Sequence, residues 1–304
     1  MMKVVITGPT GAIGMALIQL CITKQIEVLA ICRKGSPGLV YMPQNPLIHI
    51  VEANLDEYAA LELPGQYDVF YHFAWASTSR ESRNDVYSQN QNVTHTLDAV
   101  RLAKRLGCHT FIGAGSQAEY GRSEMPLTSR TPAFPENGYG IAKLCAGQLS
   151  RILCEQLEIK HIWTRILSVY GPYDDEHTMV ISTIKRLLSQ EELPFTQGEQ
   201  IWDFLYSEDA ADMLYRLAIQ GENFRTYCIG SGEGRKLKTF IREIVDVVAP
   251  KQEPVFGAIP HNRNQVMHLV ADLDELEQDI GPVTLTPFAL GIRKTMEEVM
   301  RRLQ

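Results

Sequence analysis

The opening residues of this chain restrict its fold more than any other stretch. The run KVVIT (3–7) is β-branched and apolar, the composition of a buried strand. It passes without a break into GPTGAIG (8–14) and then into the helical pattern AIGMALIQLCITK (12–24). Glycines at positions 8, 11 and 14 lack a Cβ, so the backbone there turns tightly and another group can approach it closely. A helix opening at Ala12 aims free N–H groups and the positive end of its dipole into the same space. A glycine triplet alone is a weak signal. Placed between a first strand and a first helix, it predicts a cradle for the pyrophosphate of a dinucleotide. The residues so assigned are Gly8, Thr10, Gly11, Ala12, Ile13 and Gly14.

The alternation continues. EVLAIC (27–32), LIHIVEA (47–53), YDVFYHFA (67–74), HTFIGAGS (109–116) and HIWTRILSV (161–169) read as strands. Residues 86–107, ending at Gly107, and 138–157 read as long helices. Such an order predicts a Rossmann-like α/β fold with a doubly wound parallel sheet. After YGPYDDE (170–176) the rhythm changes. A helix over 178–190 is followed by ELPFT, by IWDFLYS and by a helix with Ser207 as its N-cap and acids in its first turn. TYCIG (226–230) reads as a strand, and the chain beyond residue 234 reads mainly as two helices. The expected organisation is a dinucleotide-binding domain over 1–173, with 201–234 returning to it. A smaller C-terminal substrate-binding lobe, from 174–200 and 235–304, would lie over the carboxyl edge of the sheet.

Composition narrows the function. With 304 residues, 45% apolar and 21% charged, the chain is of ordinary globular type. A formal net charge of −7 argues against nucleic acid and anionic membranes as partners. There is no membrane-length apolar run, and the apolar N-terminus is broken by TGPTG, unlike a secretory signal. The six cysteines are scattered without a CxxC pair, which suits reduced thiols in the cytoplasm, and no histidines cluster at metal-ligand spacing.

The second strand ends Cys32-Arg33-Lys34. An acid at this point would bind the adenosine ribose hydroxyls of NAD, whereas two cations suit a 2′-phosphate. NADP(H) is favoured, with NAD(H) still possible. Further along stands GYGIAK (138–143). Of the twelve tyrosines, Tyr139 alone has a lysine four residues on, at Lys143. On a helix the two share a face, where phenol and ammonium can form a proton-transfer pair.

Together, T-G-x-x-G-x-x-G, Y-x-x-x-K and a serine ending the fifth strand (Ser116) resemble the short-chain dehydrogenase/reductases. Further stretches are similar to the extended branch, which holds nucleotide-sugar epimerases, dehydratases and ketoreductases. VEANL (51–55) resembles the adenine-binding segment, which implies Asn54 and Leu55 as cofactor contacts. YHFAW (71–75) resembles its H-x-A-A strand end, implying Phe73, Ala74 and Trp75, with tryptophan in place of alanine. QNVTHTLDAV (91–100) carries over Asn92. RILSVYGP (165–172), WDFLYSEDAADM (202–213) and GSGEGRKLKTFI (230–241) match later motifs, so the resemblance covers essentially the whole chain. It implies that Ser116, Tyr139 and Lys143 are catalytic. Ser116 would hydrogen-bond the reacting oxygen and Tyr139 would exchange its proton. Lys143 would hold the nicotinamide ribose and lower the tyrosine from its usual value of about 10. Pairing of relatives through the two long helices implies a homodimer.

The resemblance also implies a nucleotide-diphosphate sugar as substrate. The 4,6-dehydratases carry Asp-Glu directly after the serine or threonine. Here those positions are Gln117 and Ala118, which argues against dehydration, and Glu119 is expected to point away. Reduction of a 4-keto-deoxysugar with NADPH and 4-epimerisation with tightly held NAD remain. A non-catalytic NADP-binding sensor or scaffold is the reading of a different class. For the substrate, Ser116, Gln117, Trp202 and Arg263 are the candidates, with Arg80 and Arg83 as weaker cations for the diphosphate. Trp202 stands where epimerases carry arginine, and Ser168 where they carry asparagine.

Overall fold

The computed structural model describes residues 2–79, 81–261 and 265–303. Among these, seven strands form one sheet: β1 (Lys3–Thr7), β2 (Glu27–Cys32), β3 (Ile48–Glu52), β4 (Val69–His72), β5 (Thr110–Ser116), β6 (Lys160–Ile166) and β7 (Arg225–Ile229). Their spatial order is β3-β2-β1-β4-β5-β6-β7, and every neighbouring pair is parallel. The direction of winding reverses between β1 and β4. The loops leaving those two strands therefore diverge and open a crevice at the carboxyl edge.

The helices in chain order are α1 (Ala12–Thr23), α2 (Val86–Arg105), α3 (Gly138–Gln156), α4 (Met179–Leu188), α5 (Ser207–Gln220), α6 (Leu237–Val248), α7 (Asp274–Ile280) and α8 (Phe288–Leu303). Alternate residues of a strand face opposite sides of the sheet. Val4 and Ile6 accordingly join Leu17 and Leu214 beneath α1 and α5. Val5 joins Phe70, Val100 and Phe111 beneath α2. Burial on both faces is why these strands read as continuous apolar runs. Capping fixes the helix starts near the crevice. The Asp85 carboxylate accepts from Ser88 N (3.3 Å) ahead of α2, and the Asn137 side chain accepts from Gly140 N (2.8 Å) ahead of α3. A separate apolar core of Ile184, Phe240, Ile244 and Ile292 joins α4, α6 and α8.

Three local expectations differ from the structure. Residues 161–169 are not one strand: β6 stops at Ile166, and Ser168–Tyr170 pairs instead with Phe204–Tyr206. The backbone groups that leave the large sheet are satisfied there. Ser207 is the first residue of α5, with Tyr206 in the N-cap position. Beyond residue 234 the described residues form three helices rather than two. The extra one, α7, is short and acidic, and it is held by burying Leu276 and Ile280. Among the described residues no helix is long and apolar enough to cross a membrane, and no group of three or more His, Cys, Asp or Glu is placed to hold a metal.

Candidate active site

The glycine loop is shaped by close approach. Gly8 has φ +67°, and a Cβ there would stand 2.8 Å from Ala74 N. A Cβ on Gly14 would stand 2.6 Å from Gly8 O, so α1 packs directly on the loop. A Cβ on Gly11 would meet nothing nearer than Gly8 O at 3.9 Å, because that side faces the open crevice. This opening, at the N-terminus of α1, fits a diphosphate. Thr7 Oγ1 ties the two diverging strands together, through His72 Nδ1 (2.9 Å) and Ala74 N (3.3 Å). Burial, then the neighbouring Lys143, push His72 down to about 3, so its ring is neutral.

Above the loop lies a cleft of about 440 Å³ into which Ser116, Tyr139 and Lys143 all face. Ser116 ends β5, and its Oγ accepts from Ala118 N at 3.2 Å. Helix α3 packs so tightly on this turn that a Cβ on Gly140 would stand 2.2 Å from Ala118 O. That approach brings Tyr139, in the first turn of α3, to the same space as Ser116. One turn further, Lys143 Nζ donates to Ala114 O at 2.6 Å. It lies 3.8 Å from the centre of the Trp75 ring and 5.8 Å from that of Tyr139.

Burial lowers Lys143 to about 7, with the Glu119 charge opposing. Burial also raises Tyr139, against Ser116 and the Arg83 cation, whose guanidinium is 5.1 Å from the phenol ring. The expected lowering of Tyr139 by Lys143 is thus not seen. The dry surroundings disfavour both charged forms, and burial is the largest influence on each. Glu119 points inward, away from the cleft. Its carboxylate accepts from Ser116 N (2.8 Å), Trp163 Nε1 (3.0 Å) and Arg165 Nε (2.8 Å). Burial pushes this carboxyl up, and Arg165 pulls it back.

The other sequence candidates are distributed as follows. Gly8, Gly11, Ala12, Ile13 and Gly14 line the cleft, as do Phe73, Trp75 and Gln117. Thr10 and the exposed Arg33 face an adjoining cleft of about 500 Å³. Ala74 contributes backbone, donating to Thr7. Lys34 is paired with Glu57, which spends its charge locally. Asn54 and Leu55 form a capped turn after β3 in which Asn54 N donates to Glu57 at 2.7 Å. Asn92 is buried, and its amide is taken up by Ala76 N (2.9 Å) and Ala76 O (3.0 Å). It braces the loop after β4. Trp202 Nε1 donates to Ser168 Oγ at 2.8 Å, so the two departures from the family pattern are partners. Arg83 lines the cleft, whereas Arg80 and Arg263 lie outside the described residues.

Sequence reasoning passed over Asp174, which lines both clefts. Burial raises its carboxyl to about 6, with Thr178 and the Asp175 backbone opposing. Its signal was present as the first acid after YGP, where the chain leaves the sheet.

A dTDP-glucose 4,6-dehydratase of Shigella flexneri is 29% identical over 181 residues, a match spanning 57% of this chain and 50% of the relative. A dTDP-6-deoxy-L-talose 4-dehydrogenase (NAD(+)) of Aggregatibacter actinomycetemcomitans is 25% identical over 85% of this chain and 95% of its own. Among solved structures, the UDP-N-acetylglucosamine 4-epimerase of Methanobrevibacter ruminantium superposes with a TM-score of 0.88 over 99% of both chains, a likeness of fold at 21% identity. Residues 4–230, from β1 to just past β7, match the NAD-dependent epimerase/dehydratase family. That stretch takes in the glycine loop, Ser116, Tyr139 and Lys143, and the chain therefore belongs to this family of nicotinamide-dinucleotide enzymes.

Proposed function

We propose that this enzyme is a nucleotide-sugar oxidoreductase that reduces the 4-keto group of an NDP-deoxysugar, with NADPH preferred to NADH. The observation that carries the reading is the meeting of Ser116, Tyr139 and Lys143 in the cleft of the glycine loop, with Gln117 and Ala118 where elimination of water needs an acid and a base. The similar dTDP-6-deoxy-L-talose 4-dehydrogenase is named for oxidoreduction at the same sugar carbon.

When bound, the reduced dinucleotide would supply the hydride for the sugar carbon. Ser116 donates a hydrogen bond to the carbonyl oxygen, and Tyr139 gives that oxygen its proton. Burial keeps the phenol in the protonated form this step needs, while making it a weaker proton donor. Lys143 would hold the nicotinamide ribose. The preference for a 2′-phosphate rests on Arg33. Strand β2 ends without an acid, and Lys34 is occupied by Glu57; Lys185 and Arg302 reach the same cleft but are paired with Glu176 and Glu298, which leaves Arg33 as its cation. The lobe built from 174–200 and 235–304 takes the nucleotide of the substrate, with Arg263 as the cation for its diphosphate. Exposed Ile141, Leu149 and Ile152 along α3 support pairing of two copies through α2 and α3.

A second reading is a 4-epimerase that keeps NAD bound, favoured by the relatives' use of NAD and by the family match. Absorbance of the purified protein and fluorescence titrations with NADPH and NADH separate the two. Exchangeable NADPH, weaker NADH and consumption of NADPH with a dTDP-4-keto-6-deoxyhexose support the reductase. NAD retained through purification, with interconversion of 4-epimers, replaces it by the epimerase. A chain that binds cofactor but turns over neither substrate class is the sensor or scaffold.

A further inference from the structure

We propose that Trp75 is a positioning residue for Lys143: its indole face holds the ammonium so that the remaining donor of that group is presented to the cofactor cleft. The proposal rests on reading Lys143 as the group that meets the cofactor. Trp75 stands where the related pattern has alanine, a side chain too short to make any of the contacts that follow.

Three observations carry it. The Trp75 ring centre is 3.8 Å from Lys143 Nζ, a close cation–π contact in a dry site. The indole is itself anchored: Nε1 donates to Gln89 Oε1 at 2.9 Å, and the buried Gln89 donates onward to Ser77 O at 2.8 Å. The ring edge also meets Tyr139, at 6.0 Å between centroids and 81° between planes. An ammonium has three donors. One is used by Ala114 O at 2.6 Å and one lies against the indole, which leaves one for a ligand in the cleft that Lys143 lines.

The charged and titratable groups around Lys143 do not replace the indole. Tyr139, on the same helix, is held protonated. His72, from β4, is neutral. Glu119, from the turn after β5, acts at longer range and is itself paired with Arg165 at 2.8 Å. Arg83 lies over the Tyr139 ring, 5.1 Å from its centre, and is of like charge. Among the described residues, the Ala114 carbonyl and the Trp75 face are therefore the close contacts that offset the burial of this cation.

The test is a ¹³Cε NMR titration of lysine-labelled protein, with the Lys143 signal assigned by its loss in Lys143→Arg. Trp75→Leu is expected to make Lys143 titrate about one pH unit lower, and Trp75→Phe about half as far. At neutral pH the charged fraction then falls roughly fivefold in Trp75→Leu. NADPH binding weakens to match and recovers on acidification. A Trp75→Leu protein that folds with Lys143 titrating as in the wild type overturns the proposal. Should the leucine variant not fold, Trp75→Phe and Gln89→Met decide by the same readout, an unmoved titration in both overturning it. Because the titration needs no turnover, failure to find a reductase leaves this result standing, and the two failures are distinguishable.

Discussion

Replacing Lys143 with methionine should make the protein more stable while abolishing turnover. Lys143 is 4% exposed, and burial brings it from 10.5 to about 7. At about 1.4 kcal/mol per pH unit, keeping that charge in the fold costs roughly 5 kcal/mol. Methionine removes the charge and fills a similar volume. It also gives up the bond to Ala114 O and the contact with Trp75, a loss of about 2 kcal/mol. The net gain is therefore about 3 kcal/mol. The sign with pH follows from proton counting. An unfolded lysine keeps its proton up to 10.5, whereas the folded one releases it near 7. Between those values the unfolded state binds more protons, so the wild type gains stability as pH rises. The advantage of the methionine variant is full below about pH 7 and shrinks steadily above it. Urea unfolding of both proteins at about pH 6 and pH 9 measures this. A methionine variant less stable than the wild type at the lower pH refutes the reasoning. So does a gap of the same size at both.

The remaining predictions are more local. Glu119→Gln leaves Arg165 buried beside a neutral partner and should cost about 3–5 kcal/mol in urea unfolding. Gly8→Ala forces a Cβ to 2.8 Å from Ala74 N at φ +67°, so cofactor affinity measured by fluorescence should collapse. Ser168→Ala strips Trp202 Nε1 of its acceptor and should cost about 1–2 kcal/mol, read in the same unfolding assay. Arg33→Ala should weaken NADPH about tenfold or more while leaving NADH nearly unchanged, a split read by parallel titrations.

The parallel alternation, the glycine loop and the Tyr139/Lys143 pair were legible because each depends on short-range rules. A strand and the helix after it are contiguous, and i,i+4 spacing holds on any helix. The limits of most strands and helices fell within a residue or two of the expected ones for the same reason. The short helix α7 escaped because its apolar residues are few and it is stable only where Leu276 and Ile280 are covered.

Within the site, the one-dimensional pattern named residue types and left their partners open. Lys34 looked like a second phosphate cation until its pairing with Glu57, 23 positions away, came into view. Asn92 looked like a cofactor contact, yet its amide is consumed by Ala76. Glu119 was expected to point away, but nothing local announced its pairing with Arg165 or its hold on Ser116 N. The sequence by itself determined the fold class, the cradle and the presence of a Ser-Tyr-Lys set, since these rest on local geometry and composition. Tertiary structure alone decided which cations remain free, which amides are spent, and how dry the Lys143 and Tyr139 surroundings are. Pairing and desolvation are properties of atoms brought together from distant parts of the chain, and no spacing along it encodes them.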